Sequence, residues 1–303
     1  MKTIKEPKYI DLLSDAGFKI VFGEEGQQKL LIPLFKVIFP DIDIVDLEYI
    51  ERESIPFTSS LKRPICDVRC RLSDGSEVIV EVQRVYQSQF FKRAFFESCL
   101  SYAGQLSIGM DYGELRPVYV VCLLDFEMEH ETGKGHDIVY RYHFSEECTH
   151  ECLFHDIRLA FVELGRFKKS LEELDSFDDK LYFCLRNMAL MDDVPESLEG
   201  DYFRSLFNRS FFAGLPKDKK AIILENMLRE WDIRDIKESA LAQGRKEGLS
   251  EGLQEGRKEG LKEGLKEGLR EAFSIIAEKM RAEGFSEEDI LRLTSINIAE
   301  AEK

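Results

Sequence analysis

The chain has 303 residues, of which 44% are hydrophobic and 33% are charged, and its formal net charge is −16. This length is ample for a buried core, and the composition is typical of a globular protein with a highly charged part. The acidic balance disfavours tight, non-specific DNA binding, because such binding depends on Lys and Arg at the phosphates. No run approaches the roughly 20 apolar residues that span a bilayer, so we expect no membrane contact.

The start of the chain lacks the apolar stretch of a secretory signal, which predicts a cytoplasmic protein. Seven cysteines, an odd number, are scattered through core-like patterns. In that setting they predict reduced thiols rather than a disulfide framework.

The first fifty residues predict two helices and a strand. Residues 11–22 form the first helix, in which Asp15 either caps or solvates the helix or completes an acidic site. Residues 27–39 form a second, amphipathic helix. Residues 44–52 alternate imperfectly and predict a strand, with Glu48 as a further candidate acid.

Two segments with period-2 alternation, 66–72 and 76–83, predict a β-hairpin. Apolar residues occupy one face of each strand. The first strand has Asp67 on its polar face, and the second has Glu81 and Gln83 on one face. Whether these side chains meet depends on the turn between the strands.

The turn Ser73-Asp74-Gly75 suits a three-residue loop, a type I turn followed by a left-handed glycine. This register pairs Leu72 with Ser76 and puts Asp67 directly opposite Glu81. A two-residue loop would separate the two acids.

Two carboxylates in opposite positions repel each other unless a cation lies between them. One interpretation is a divalent metal site, because Mg²⁺ prefers carboxylate oxygen and retains waters. The other is a solvated sheet face, on which Arg69 and Arg71 balance the acids. The pattern alone leaves both open.

A helix follows over residues 88–108. Arg93 faces either the acidic site, where its planar fork would contact phosphate, or the surface, where it would pair with Glu97. Gln105 is also expected to face the site. We expect five of its residues in the core, namely Phe90, Phe91, Phe95, Leu100 and Ala103.

Residues 117–124 form a continuous apolar run, typical of a buried central strand. Two more strands are predicted over 137–144 and 157–164. The order of elements predicts an α/β core whose mixed sheet has helices on both faces. All five histidines fall between His130 and His155, close to two cysteines, and they belong either to a zinc site or to loop and strand surfaces.

Residues 168–236 are predicted to be helical. Beyond them, glycine recurs every four residues from Gly244 to Gly268 in a segment rich in Glu, Lys and Arg. This tail is either a charged, partly helical spacer or a helix that self-associates through its Gly-x-x-x-Gly spacing. Ser286 follows a glycine and precedes acids, which predicts the cap of a terminal helix that forms a hairpin with its neighbour.

Asp67, followed after thirteen residues by Glu81-Val82-Gln83, resembles the core motif of the PD-(D/E)XK nucleases. The surrounding chain, over about residues 10–190, resembles the PD-(D/E)XK family transposases, which are related to the Rpn recombination-promoting nucleases. Three further segments carry this resemblance, namely 14–23, 91–102 and 161–167. Gln83 departs from the motif, which usually has Lys at that position.

The resemblance implies a restriction-endonuclease-like fold and an Mg²⁺-dependent DNA endonuclease, with Mn²⁺ as a substitute, linked to recombination or mobile elements. Asp67 and Glu81 would hold the metal, with Asp15 and the Val82 carbonyl as further ligands. Gln83 would orient water or phosphate.

The alternative is a catalytically inactive binding or assembly module that self-associates through residues 240–303. We expect a nuclease-like domain over 1–167, a helical region over 168–239 and the repeat tail over 240–303. DNA contact is expected to be weak and non-specific, near seven basic residues, Lys62, Arg63, Arg69, Arg71, Arg84, Lys92 and Arg93.

Overall fold

The computed structural model describes residues 6–52, 65–130 and 137–301, with side chains up to residue 294. It divides into two compact units, Met1–Arg229 and Glu230–Lys303. The predicted division into three parts stays a prediction. Lys62-Arg63, expected to contribute to a basic surface, lies outside the described residues.

A six-stranded mixed sheet forms the centre of the first unit, in the order β1-β2-β3-β4-β6-β5. The strands are β1 Leu47–Tyr49, β2 Val68–Leu72, β3 Glu77–Gln83, β4 Val118–Leu124, β5 Val139–Phe144 and β6 Phe154–Glu163. Strands β3, β4 and β6 run parallel, while β1, β2 and β5 join the sheet antiparallel. All seven residues of β4 are buried, which confirms the central strand predicted from its apolar run. The first strand is shorter than predicted.

The described chain forms seven α-helices. They are α1 Asp15–Phe22, α2 Gln28–Ile38, α3 Phe90–Ala103, α4 Phe177–Asn187, α5 Asp201–Ser210, α6 Lys217–Ala282 and α7 Glu287–Ala301. Short 3-10 turns and irregular connections precede α4 and separate α4, α5 and α6, so residues 168–236 are only partly α-helical.

Helices cover both faces of the sheet, as the order of elements predicted. On one face, α1, α2, α4 and α5 bury a large core that includes Phe18, Phe35 and Leu206 against Val80 and Val121. On the other face, α3 packs on a second, smaller core. The sheet is therefore the middle of three layers.

The predicted core of α3 is partly wrong. Phe90 and Leu100 are buried, but Phe91 and Phe95 are 45% and 37% exposed and Ala103 is exposed. The face of α3 toward the sheet includes Glu97 and Ser101, which are 1% and 2% exposed. Because two of the buried positions are polar, a pattern of apolar residues alone does not find this face.

The second unit contains most of α6 and all of α7. The glycine repeat is helical throughout, not partly helical, and a Cβ added at any glycine from Gly244 to Gly268 would meet nothing within 4 Å. Before α7, Gly284 has a φ of 87°, and Ser286 Oγ accepts a hydrogen bond from the Asp289 N–H at 3.2 Å. The predicted cap is thus confirmed. In the described part of the chain, no helix is long and apolar enough to span a bilayer.

Candidate functional site

The β2–β3 hairpin has the predicted three-residue turn. Gly75 has a φ of 89°, in the left-handed region, and the Leu72 N–H donates to the Ser76 carbonyl at 2.8 Å. The strand pairing runs from Arg71 opposite Glu77 to Val68 opposite Val80. The three-residue register is confirmed, and its continuation puts Asp67 opposite Glu81.

Asp67 lies at the end of this ladder rather than within it. Its own N–H donates to the Val80 carbonyl at 3.1 Å, and its Oδ2 accepts a hydrogen bond from the Val82 N–H at 2.7 Å. The carboxylate is thereby fixed against β3, close enough for its charge to act on Glu81. Val82 thus contributes its N–H to the site. The metal-ligand role of its carbonyl stays a prediction.

The acids of the hairpin are not on a solvated sheet face. Asp67, Glu77 and Glu81 are 6%, 4% and 8% exposed. Arg69, which was expected to balance the acids, binds Glu77 at 2.7 Å. The Asp67–Glu81 end of the hairpin therefore holds carboxylates that are taken out of water, which is costly unless a cation accompanies them.

Helix α1 brings two further charged groups to Asp67. Its N-cap is Ser14, whose Oγ accepts from the Gly17 N–H at 3.0 Å, so Asp15 is not the cap. Asp15 Oδ1 lies 2.5 Å from Lys19 Nζ, and the same ammonium lies 3.0 Å from Asp67 Oδ1. The structure thus brings Asp15, Lys19 and Asp67 together.

Glycine is required in the first turn of this helix. A Cβ at Gly17 would lie 1.9 Å from the Asp11 carbonyl oxygen. This close approach belongs to the segment 14–23, one of those that carry the family resemblance. The glycine therefore allows the chain before α1 to pass against the helix that positions Asp15 and Lys19.

Buried carboxyl groups at this site have raised pKa values. Burial raises the pKa of Asp67 to about 6, and a hydrogen bond with Asp15 adds to the effect. Burial, with the nearby charges of Glu97 and Asp67, raises the pKa of Glu81 to about 8. Burial works against ionisation of Asp15 too, but hydrogen bonds from Asp67 and Lys19 lower its pKa.

Sequence reasoning missed Glu97 as a residue of the site and considered it only as a surface partner of Arg93, in one of two alternatives. Glu97 is 1% exposed, and its Oε1 is buried without a hydrogen-bond partner. Burial raises its pKa to about 7, although Arg93 and Arg69 oppose the shift. The one signal in the sequence is its spacing of seven residues from Phe90, which places both on one side of α3.

Arg93 faces the site. Its Nη2 donates to Gln83 Oε1 at 2.9 Å and lies 3.4 Å from Glu81 Oε2. Gln83 Nε2 donates to the Val85 carbonyl at 2.8 Å. The oxygen and the nitrogen of the Gln83 amide therefore both have hydrogen-bond partners within the protein. At the site, Gln83 contacts Arg93 and orients its side chain.

Two other candidates lie away from the acids. Glu48 pairs with Arg71 at 3.1 Å, on β1 and at the other end of β2 from Asp67. Gln105 binds the backbone of Arg116 through both of its amide atoms, at 2.8 and 3.0 Å. Neither residue joins the site around Asp67.

The arginines expected to form a basic surface are largely paired with acids. Arg84 binds Asp11 at 2.8 Å and lies 3.7 Å from Asp125. Arg69 and Arg71 share Glu77, at 2.7 and 3.5 Å. These contacts neutralise much of the positive charge near the site.

Among the residues that the structure describes, the histidines do not form a metal site with the cysteines. His130 Nε2 lies 2.5 Å from the buried Glu163, and its ring stacks on Tyr140. Cys152 Sγ lies 3.4 Å from His155 Nδ1. All seven cysteines are free thiols, as predicted. His136 lies outside the described residues.

Within the described ranges, no three His, Cys, Asp or Glu side chains converge closely enough to hold a metal ion. Mg²⁺, however, is usually bound by one or two carboxylates and keeps several waters. Asp67 and Glu81 supply two carboxylates of the required kind, and the unpartnered Oε1 of Glu97 lies on the same buried cluster. The donors therefore fit a hydrated divalent cation.

The mixed sheet between helix layers makes this an α/β protein whose architecture is consistent with the PD-(D/E)XK fold. The family described as PD-(D/E)XK nuclease family transposase matches residues 12–240, and the chain belongs to this family. No match was found among curated proteins or among solved structures. The family indicates a role related to nucleases and transposases, with DNA as the substrate.

Proposed function

We propose that this protein is a metal-dependent DNA endonuclease that cleaves phosphodiester bonds and acts in recombination or on mobile elements. One observation supports the proposal above others. Asp67, Glu81 and Glu97 are buried together, with raised pKa values, beside the cationic groups of Lys19 and Arg93. Such perturbed groups are common at active sites.

In this proposal Asp67 and Glu81 hold Mg²⁺ or Mn²⁺, and Asp15 and the Val82 carbonyl are further candidate ligands. The metal would lower the pKa of a bound water and stabilise negative charge on the phosphoryl group. The Val82 N–H, which donates to Asp67 at 2.7 Å, fixes the orientation of this carboxylate.

Lys19 would supply the positive charge that the family motif usually takes from a lysine at the position of Gln83. Its ammonium has two carboxylate partners, at 2.5 and 3.0 Å. If Asp67 binds the metal, the ammonium of Lys19 can donate a hydrogen bond to a substrate phosphate instead. Arg93, which lies 3.4 Å from Glu81, would offer a planar fork to the same phosphate.

The test is cleavage of plasmid and linear DNA with Mg²⁺ or Mn²⁺. Asp67→Asn and Glu81→Gln keep the shape of each side chain and remove its charge. Glu48→Gln is the matched control, because Glu48 is an exposed acid on the neighbouring strand. We expect metal-dependent nicking by the wild type and by Glu48→Gln, and its loss in the other two variants. Equal cleavage by all four proteins, or none by the wild type, would contradict the proposal.

A second candidate is a catalytically inactive module that binds or assembles through its tail. Four leucines of α6, Leu249, Leu253, Leu261 and Leu265, are between 65% and 77% exposed. Exposed glycines at four-residue spacing would let a second copy of the helix approach closely. Two helices that pack through residues at four-residue spacing favour a crossing angle of about −40° to −50° between their axes. They would touch over a short length rather than form a long coiled coil.

Sedimentation of the full chain tests this second candidate. Leu253→Lys with Leu261→Lys should convert an oligomer to a monomer, whereas Lys258→Gln with Lys262→Gln should leave it unchanged. A wild-type chain that is monomeric at all concentrations would contradict self-association.

A further inference from the structure

A cavity of about 640 Å³ opens at the other end of the hairpin from Asp67. Its lining includes Arg69 and Arg71 from β2, Arg116 from the segment before β4, and Leu100 from α3. Since β-strands rise about 3.3 Å per residue, the four residues from Glu77 to Glu81 span about 13 Å, whereas Arg69 is two residues, or about 7 Å, from Asp67. The cavity therefore adjoins the proposed catalytic acids, but none of them lines it.

Two acids, Glu51 and Glu77, line this cavity, and Glu77 already has partners within the protein. Glu77 accepts from Arg69 at 2.7 Å and from Ser101 Oγ at 2.6 Å, and it lies 3.5 Å from Arg71 Nη2. Ser101 is buried and Arg69 is largely so, which fixes the position of the carboxylate. This network holds the two β2 arginines at the cavity wall.

Arg116 has no ion-pair partner among the residues that the structure describes. The Arg116 N–H donates to Gln105 Oε1 at 2.8 Å, and Gln105 Nε2 donates to the Arg116 carbonyl at 3.0 Å. A Cβ added at Gly75 would lie 3.2 Å from the Cγ of Arg116, so the turn glycine leaves room for the side chain. A positioned backbone with an unpaired guanidinium is an unused binding group in a chain whose net charge is −16.

The lining carries three arginines against two carboxylates, Glu51 and Glu77, so its charge favours an anion, and its apolar residues favour one with an apolar body. Guanidinium forks match the oxygens of phosphate in a bidentate manner. Ile50 and Leu100 supply apolar surface, and the volume is within the usual range for small-molecule sites.

We propose that this cavity binds the phosphate of a nucleotide, with Arg116 as the main donor and with Arg71, which also pairs with Glu48 at 3.1 Å, as the second. The nucleotide is either free or one unit of a nucleic-acid strand. The proposal does not depend on the proposed cleavage, because none of the catalytic candidates lines the cavity.

The test is titration of the full chain, in EDTA, with thymidine 5′-monophosphate and with thymidine as the probe without phosphate. Arg116→Gln removes the unpaired guanidinium. Arg204→Gln is the matched control, because Arg204 is an exposed arginine on α5 away from the cavity. We expect the monophosphate to bind at least about tenfold more tightly than thymidine, and Arg116→Gln to remove that difference. Arg204→Gln should bind as the wild type does.

A short single-stranded oligodeoxynucleotide distinguishes the two sources of phosphate. If its binding depends on Arg116 while the monophosphate does not bind, the site holds a backbone phosphate. If both depend on Arg116, the site takes the free nucleotide too. If Arg116→Gln and Arg204→Gln bind both probes equally, the proposal is wrong. Loss of DNA cleavage in Asp67→Asn with unchanged monophosphate binding would separate this site from the proposed active site.

Discussion

The ammonium of Lys19 lies 3.0 Å from Oδ1 of Asp67 and so joins the first helix to the second strand. The motif that this chain resembles usually has a lysine two residues after the second acid, where Gln83 stands. A cation is nevertheless present at the first acid, delivered from a helix almost fifty residues earlier. Although Gln83 replaces the lysine of the motif, the acids therefore still have an ammonium group beside them.

Lys19→Gln should reduce DNA cleavage on the order of a hundredfold, because it removes a positive group from the place where phosphate charge develops. Lys36→Gln, an exposed lysine on α2, is the matched control and should cleave normally. Lys19→Arg should recover part of the activity. Normal cleavage by a folded Lys19→Gln protein would rule out this role.

Mg²⁺ should raise the melting temperature of the wild-type protein, because a ligand that binds only the folded state stabilises it. The gain is about 2.7 kcal/mol at a free metal concentration of a hundred times Kd. The shift should vanish in Asp67→Asn and in Glu81→Gln, and persist in Glu48→Gln. An unchanged melting temperature in millimolar metal would count against the two acids as ligands.

Without metal, the stability should fall as the pH rises from about 4.5 to about 8. Burial raises the pKa of Glu81 from 4.5 to about 8, so in this window the folded state holds a proton that the unfolded state has released. The stabilisation is therefore complete below pH 4.5 and is lost as the pH passes through 8. Chemical denaturation across this range in EDTA measures the slope, and Glu81→Gln should flatten it. A free energy of unfolding that rises between these pH values would contradict the prediction.

Glu97→Gln should stabilise the metal-free protein at pH 8 and change it little at pH 5. At pH 8 the wild-type carboxyl is ionised, buried and close to Glu81, since burial sets its pKa at about 7. The amide has the same shape and no charge, so the expected gain is on the order of 1 kcal/mol. Thermal melts at the two pH values give the comparison. Equal effects at both would show that the charge of Glu97 is not the cause.

Local patterns were sufficient where neighbouring residues determine the structure. The turn Ser73-Asp74-Gly75 fixed the hairpin register because only a left-handed glycine suits a three-residue loop there. The apolar run at 117–124 predicted a central strand, because a strand covered on both faces needs apolar residues at every position. Ser286 predicted a cap because its oxygen reaches the backbone N–H three residues later.

The composition of the site was decided by contacts between distant segments. The contact of Lys19 with Asp67 and the burial of Glu97 depend on how α1 and α3 pack at the end of the hairpin. Period and spacing predict which residues share one element's face, but not which element will cover that face. The sequence by itself therefore determined the fold class, the hairpin and the pair of acids. Only the tertiary structure decided that those acids are buried, that Glu97 joins them, and that Lys19 lies beside Asp67.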